Sequence, residues 1–442
     1  MLLNDLASVV GFDHCLTDPD LRASYEVDWT GRYRGLTPAV VRPGTVDELV
    51  AVMQICHRAG KAVVVQGGNT GMVGGGVPLQ SEVVLSVARL GNVQVLSDSQ
   101  VKAGAGATLA RVQQAAASVG ARFGVDTAAR DSATVGGMIA TNAGGMNVVR
   151  FGPMGDQVVD AGVVLADGRY FPSLASGADE AAPELLRRLA GSEGVLAVVA
   201  HATLEIAPVP SAVAVAMVEV AGKELVSLAS AVGAVPTLFA AEVFGSREVV
   251  LAAESIGRRP PAGADWLLLL ECRSDGDPVT ELEKVVGHLP AVVATNDRDG
   301  GELWLFREAL TESVSRRGIP HKFDVWVPHP SLGDLRGRVE GAAPDGQVFV
   351  WGHLFSNRHG RPVANMHVNV VGSVDDEAVF DVIEALDGSV AAEHGIGTAK
   401  RHRAIAALPD LDQLWNLKQQ LDPNGILNPN VVFPPGMGVR FS

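Results

Sequence analysis

Four side chains late in the sequence have the types and spacing for chemistry. They are His353 in "WGHL", His367 in "NMHVNVV", and the neighbours Glu393 and His394 in "AAEHGIGTAKR". "MHVNV" alternates in strand fashion, so His367 and Asn369 project from one face. "GHL" reads as the partner strand of a hairpin, which would set His353 across from His367. In a loop, Glu393 and His394 can both point inward. Two neutral imidazoles and one carboxylate, with a coordination position left open, suit a catalytic Zn²⁺ and would also accept Mn²⁺ or Fe²⁺. His14, His57 and His288 stand alone and read as ordinary structural histidines.

A second kind of chemistry is written in glycine. "QGGNTGMVGGGVP" (66–78) holds six glycines within ten residues, and no charged side chain occurs from Ala62 to Ser81. It follows "KAVVV", a β-branched run that reads as a buried strand. A strand running into bare backbone aims a row of N–H groups at an anion. A second neutral, glycine-rich stretch is "SATVGGMIATNAGG" (132–145), and "GSEGVLAVV" (191–199) brings a third turn. The two common phosphate motifs are absent. A GxGxxG register from Gly104 fails at Leu109, and Gly76 is followed by Val77 and Pro78 rather than Lys and Ser or Thr.

The elements that must position these groups fall into two sets. "PAVVRP", a helix opening at Thr45 with Glu48 at the capping-box position, and "KAVVV" form strand–helix–strand. "EVVLSV", "VQVL" and "QVKAGAG" read as strands, and "TLARVQQAAASVG" as a helix between Thr108 and Gly120. "QVVDAGVVLADGRYF" reads as a hairpin turning at Asp167 and Gly168. Past Pro208 and Pro210, "SAVAVAMVEV" and "DWLLLLECR" are apolar runs between charged helical segments, as in an antiparallel sheet carrying helices. "LPDLDQLWNLKQQLDPNGILNPN" is an amphipathic helix ending at Asp422. At 442 residues the chain exceeds one core. The reading is an α+β protein with domains at 1–208, 209–402 and 403–442.

With 47% hydrophobic and 19% charged residues, the composition is globular. A net charge of −15 argues against a nucleic-acid partner or a polybasic membrane contact. Cys15, Cys56 and Cys272 lie far apart, which excludes a cysteine-ligated iron–sulfur cluster and fits reduced thiols in a cytoplasmic protein. Asn4 and Asp5 interrupt any signal peptide, and no apolar run reaches a membrane span.

In order, "GGNTGMVGG", "VGGMIATNAGG" and "GSEGVLAVV" resemble the PCMH-type FAD-binding domain of the vanillyl-alcohol-oxidase family. "LWLFREALTESVSRRGIPHKFDVWVP", "WGHL…NMHVNVV", "AAEHGIGTAKR" and "LKQQLDPNGILNP" resemble its FAD-linked D-2-hydroxy-acid dehydrogenases. The resemblance implies a FAD-binding domain of two α/β subdomains. It also implies a substrate (cap) domain with a helix-flanked antiparallel sheet, and a C-terminal segment returning to the FAD domain. FAD contacts fall on Gln66, Gly67, Gly68, Asn69, Thr70, Gly71 and Met72. They continue at Gly136, Gly137, Thr141, Asn142, Gly144, Gly145, Glu193, Gly194 and Asn428. The flavin is expected to be non-covalent, since 58–122 holds neither His nor Cys.

The resemblance further implies that His353, His367 and Glu393 ligate the metal, that His394 is the base, and that Asn369 bonds the substrate. Arg307 and Thr311, four apart in "REALT" and expected on one helical face, join Lys322 in gripping substrate carboxylates. That trio favours D-2-hydroxyglutarate or a similar dicarboxylate. A D-lactate or glycolate dehydrogenase and a metal-free FAD oxidase stand as alternatives. An electron-transfer flavoprotein or quinone is the expected electron acceptor, and a homodimer is a family expectation. One departure concerns the hairpin. The family joins its histidines by GH-x-GDGN-x-H, whereas "FSNRHGRPVAN" puts His367 fourteen positions after His353 and sets His359 at an exposed tip.

Overall fold

The computed structural model describes residues 1–176, 180–260, 265–356 and 362–437, so His359 lies outside the described residues. The chain divides into two compact units. The first is Met1–Gly144, Pro153–Pro208 and His394–Ser442, and the second is Gly145–Gly152 and Val209–Glu393. Two stretches fall across the boundaries drawn from sequence. The segment from His394 onward groups with the first unit, because Ile396 and Gly397 N–H donate to the Glu193 carboxylate and Thr398 N–H donates to Val73 O. Residues 145–152 group with the second, where Phe151 meets Phe239 edge-on and Arg150 lies over the same ring.

The first unit holds a small sheet in the order Cys15–Leu16, Val40–Val41, Val83–Ser86, Val63–Gln66, parallel except for its first pair. A five-stranded antiparallel sheet runs Val93–Val95, Gln100–Gly104, Val198–Glu205, Val158–Val164, Tyr170–Phe171. The helix Val46–Arg58 opens as expected, with Thr45 Oγ1 accepting from Glu48 N–H at 3.1 Å. The return bond of the capping box is displaced by one residue, since the Glu48 carboxylate accepts from Gly44 N–H at 2.7 Å. Gly168 takes φ +87° in the hairpin turn, and Leu411–Leu421 ends at Asp422. The tail then returns to the parallel sheet, Val63 N–H donating to Ile426 O and Asn428 N–H to Val63 O.

The second unit is built on seven antiparallel strands: β1 (Ala212–Val220), β2 (Leu238–Gly245), β3 (Trp266–Ser274), β4 (Ala291–Ala294), β5 (Pro320–Pro328), β6 (Gly346–Ser356) and β7 (Pro362–Gly372). Their order in space is β4-β1-β3-β2-β6-β7-β5. Val215 and Met217 of β1, Leu267 and Leu269 of β3, Phe244 of β2 and Trp351 of β6 bury one face. Leu303 and Phe306 of the helix Asp297–Glu308, with Leu310 and Val314 of the helix Leu310–Ser315, cover it. Alternation along each strand fixes which residues share that face, and three cross-strand rows of polar side chains share it too.

Candidate functional site

The first of these rows aligns Glu242 (β2), His353 (β6) and Asn365 (β7). A second aligns Trp351 (β6), His367 (β7) and Asp324 (β5), and a third Phe349, Asn369 and Lys322 on the same three strands. His353 is therefore not directly across from His367. The register sets it opposite Asn365, and the two imidazoles meet diagonally with ring centroids 5.2 Å apart. A diagonal neighbour on one face is still within side-chain reach.

His353 is held from both sides. Its Nδ1 lies 2.9 Å from Glu242 Oε1, and its Nε2 faces Glu393 Oε1 at 3.3 Å without the alignment of a hydrogen bond. Glu242 is wholly buried, and its second oxygen accepts from Arg307 Nε. Burial opposes the Glu242 charge, but Arg307 and His353 outweigh it and hold the carboxyl at about 2. For His353, burial opposes the charged ring, and Glu242 and Glu393 override it, raising the pKa to about 10. Glu393 stays below the usual carboxylate range despite burial, chiefly because His353 stands beside it. Gly145 N–H donates to Glu393 Oε1 at 2.9 Å, Glu393 N–H donates to Asp324 Oδ2 at 2.6 Å, and Asp324 Oδ1 lies 3.3 Å from His367 Nδ1.

Asn369 is buried, its Nδ2 donating to His367 O at 3.3 Å. Lys322 is half-buried, and burial lowers its pKa. Arg307 and Thr311 do not share one helix. Arg307 is near the end of Asp297–Glu308 and Thr311 is in Leu310–Ser315, with Ala309 at ψ −17° joining them.

In the first unit, a cleft is lined by Val65, Gly67, Gly136, Gly137, Glu193, Gly194 and Asn428, among others. Its shape depends on missing side chains. A Cβ on Gly67 would stand 2.2 Å from Thr134 Oγ1, and one on Gly68 would stand 1.7 Å from Ser132 O. At Gly71 a Cβ would meet nothing within 4 Å. Four non-glycine residues among the expected FAD contacts, Asn69, Asn142, Glu193 and Asn428, take positive φ, a strain that concentrates at binding sites.

Several expected FAD side chains are engaged within the protein. Gln66 Nε2 donates to Tyr25 O and Gly76 O, Asn69 Nδ2 to Ser24 O and Val27 O, and Thr141 Oγ1 to Gly137 O. Asn142 Oδ1 accepts from Gly155 N–H. Asn428 accepts from Val65 N–H and donates to Glu193 O. Of the expected contacts, Gln66, Gly68, Asn69, Thr70, Gly71, Met72, Thr141, Asn142 and Gly144 lie on the same elements without lining the cleft, and Gly145 belongs to the second unit.

Residues 37–171 match the FAD binding domain family, and residues 209–432 match the C-terminal domain of FAD linked oxidases. The chain is 32% identical to the Bos taurus protein named "D-2-hydroxyglutarate dehydrogenase, mitochondrial", over 95% of this chain and 81% of that one. The chain belongs to the FAD-linked oxidases, among their FAD-dependent D-2-hydroxy-acid dehydrogenases. A D-2-hydroxyglutarate dehydrogenase of Xanthomonas citri is 29% identical over 94% of this chain and 93% of its own. The solved structure of a 4-ethylphenol oxidase from Gulosibacter chungangensis in complex with isoeugenol shares the fold. Its TM-score is 0.74 at 13% identity, covering 99% of this chain and 97% of that one.

For a FAD-linked oxidase the cleft fits its cofactor. Bare glycine backbone lines it, and beside it the buried Gln66 Oε1 and Thr134 Oγ1 lack partners. In the second unit an unsatisfied imidazole nitrogen faces a carboxylate, with a second imidazole nearby, and these donor types are ones a divalent cation takes. Among the described residues, no helix is long and apolar enough to cross a membrane, and the three cysteines are free and buried.

Sequence reasoning missed Glu242 and Asp324. Asp324 had a signal, since it lies two residues after Lys322 in "HKFDVWVP" and must share its face. Glu242 had another, as the only charge in "LFAAEVFG", where a buried carboxylate requires a partner.

Proposed function

We propose that the protein oxidises a D-2-hydroxy acid to the 2-oxo acid, with D-2-hydroxyglutarate or a similar dicarboxylate favoured. It would use non-covalent FAD and a divalent cation, Zn²⁺ or else Mn²⁺ or Fe²⁺, and pass electrons to an electron-transfer flavoprotein or quinone. The observation that carries this reading is His353, whose Nδ1 is fixed by Glu242 while Nε2 faces Glu393 unsatisfied. A carboxylate on one ring nitrogen orients the other as a ligand, the usual arrangement behind a metal-bound histidine.

His353, His367 and Glu393 would hold the cation, which when bound supplies the Lewis acidity that lowers the substrate hydroxyl's pKa. The residues of the glycine cleft would hold FAD, which when bound supplies the acceptor for the substrate's Cα hydride. His394, next in the chain to Glu393, takes the hydroxyl proton. Asn369 hydrogen-bonds the substrate, and Thr311 and Lys322 bind its distal carboxylate with Arg307. Because Glu242 occupies Arg307 Nε, the guanidinium grips the carboxylate through its Nη groups. Non-covalent attachment is supported by Cys56, a buried thiol pushed up to about 12 and thus a poor thiolate.

The test is anaerobic bleaching of the flavin by D-2-hydroxyglutarate, D-malate and D-lactate, with and without EDTA and Zn²⁺ re-addition. Bleaching by a dicarboxylate that EDTA abolishes and Zn²⁺ restores is the expected result. Bleaching by D-lactate alone would overturn the dicarboxylate reading, and bleaching indifferent to EDTA would overturn the metal.

A further inference from the structure

Glu193 was expected to touch FAD, yet its carboxylate is engaged elsewhere. The residue is buried and sits in the turn 191–194 at φ +49°, a conformation that costs a non-glycine residue free energy. Its backbone is tied to the glycine-rich elements of the cleft, its N–H donating to Ala140 O at 2.8 Å and its O accepting from Asn428 Nδ2 at 2.7 Å. With that backbone on the cleft wall, the side chain runs to the segment that follows His394. Oε1 accepts from Ile396 N–H at 2.6 Å and Oε2 from Gly397 N–H at 2.8 Å.

The fit is close. Gly395 has φ +81°, and a Cβ there would stand 2.7 Å from Glu193 Oε1. Gly397 has φ +54°, and a Cβ there would stand 2.2 Å from Val73 O. Val73 O in turn accepts from Thr398 and Ala399 N–H, at 2.9 and 3.1 Å. The stretch 395–399 is therefore clasped between the first glycine loop, through Val73, and the third, through Glu193. Both loops belong to the cofactor region of the same unit.

We propose that Glu193 is a positioning residue, a latch that transmits the ordering of the FAD cleft to the segment carrying His394. Two loops arranged around a cofactor present the Val73 carbonyl and the Glu193 carboxylate at a fixed separation, and the four N–H groups of 396–399 fit between them. Without the cofactor the loops lose that support, and the His394 segment loosens with them. A strained residue with both side-chain oxygens buried and taken up by backbone N–H groups has reason to be kept where such coupling matters. Neither a cofactor contact nor plain packing calls for a carboxylate in this place. The inference rests on His394 being the base in the proposed reaction.

The test compares the full-length wild type and Glu193→Gln, each as apoprotein and reconstituted with FAD. Hydrogen exchange is followed across 394–400, and flavin reduction by D-2-hydroxyglutarate is timed anaerobically. In the wild type, FAD should slow exchange at the Ile396 and Gly397 amides. Glu193→Gln, which keeps one acceptor oxygen and the side-chain size, should still bind FAD and be reduced normally by dithionite. It should lose the FAD-dependent slowing at 396–397. Its reduction by substrate at saturation should fall by about 100-fold, the scale of a misplaced general base, with little change in KM. Equal exchange with and without FAD in the wild type would overturn the latch even if the variant does not fold. Wild-type reduction rates in Glu193→Gln would overturn it as well. If no hydroxy acid reduces the wild-type flavin, the proposed reaction fails, while the exchange measurement still decides the latch.

Discussion

At Gly67 on the cleft wall, and at Gly68 beside it, what matters is an atom that is missing, since a Cβ would run into Thr134 Oγ1 or Ser132 O. At the polar rows of the second unit, what matters is charge that is present, with Glu242, His353, Glu393 and Arg307 joined through side chains. The cleft leaves its backbone open and engages its side chains in holding loops in place. The polar rows use backbone register to bring side chains together and leave one imidazole nitrogen unsatisfied. A site of the first kind suits a large ligand recognised through N–H groups. One of the second kind suits a small ion or acid recognised through charge. The two should therefore fail differently, the cleft through shape and the rows through electrostatics.

The largest expected effect is on the electrostatic side. Glu242→Ala leaves the buried Arg307 guanidinium and His353 ring without their shared counter-charge, and removing one partner from a buried ion pair costs about 3–5 kcal/mol. Urea denaturation should show that loss, together with weakened Zn²⁺ retention against a chelator. Glu242→Gln should recover part of the stability. If Glu242→Ala unfolds like the wild type, the rows do not depend on charge.

Next comes pH, acting through Glu193. Burial raises its carboxyl to about 7, against the pull of Ile396 and Gly397 N–H and of Lys400. The folded protein thus holds this proton more tightly than the unfolded chain, whose glutamates titrate near 4.3. The resulting stabilisation is complete below about 4.3 and is lost as pH rises through about 7, on the order of 3 kcal/mol across the window. Subtracting the pH profile of Glu193→Gln from that of the wild type isolates it, since Glu242 and His353 titrate alike in both. A flat difference between pH 4 and 7 would mean that Glu193 is ionised throughout.

The shape side is tested by a pair of substitutions three residues apart. Gly68→Ala should cost about 1–3 kcal/mol in thermal unfolding, because its Cβ meets backbone that cannot move aside. Gly71→Ala should leave the apoprotein's stability unchanged, since nothing stands within 4 Å, and should lower FAD affinity. Equal flavin binding by Gly71→Ala and the wild type would remove that stretch of backbone from the cofactor's path.

How much of this was readable beforehand follows the same division. Glycine runs announce bare backbone in sequence, and the strand–helix–strand around them is local, so the cofactor region was legible down to Thr45 and Gly168. The polar rows are long-range. Glu242 meets His353 across 111 positions, a pairing fixed only when β2 and β6 lie side by side. The fourteen-position separation of His353 and His367 also hid the register, so the diagonal was read as a direct pair. Asp324 was within reach of strand alternation, but only once its strand was known to neighbour that of His367.

The smallest effect separates substrates rather than states of folding. Lys322 stands opposite Asn369 on the edge strand β5, and burial lowers its pKa, so its charge is lost at lower pH than that of an exposed lysine. If it grips a distal carboxylate, Lys322→Met should raise KM for D-2-hydroxyglutarate by about tenfold or more, the worth of one charged hydrogen bond. D-lactate, which has no such carboxylate, should be turned over as before. Neutralising the lysine by raising pH should do the same without mutation, so the wild-type KM for the dicarboxylate should climb in the alkaline range while that for D-lactate stays level. If both substrates shift together in either experiment, Lys322 acts on the shared hydroxy-acid end, and the preference for a dicarboxylate must rest on Arg307 and Thr311.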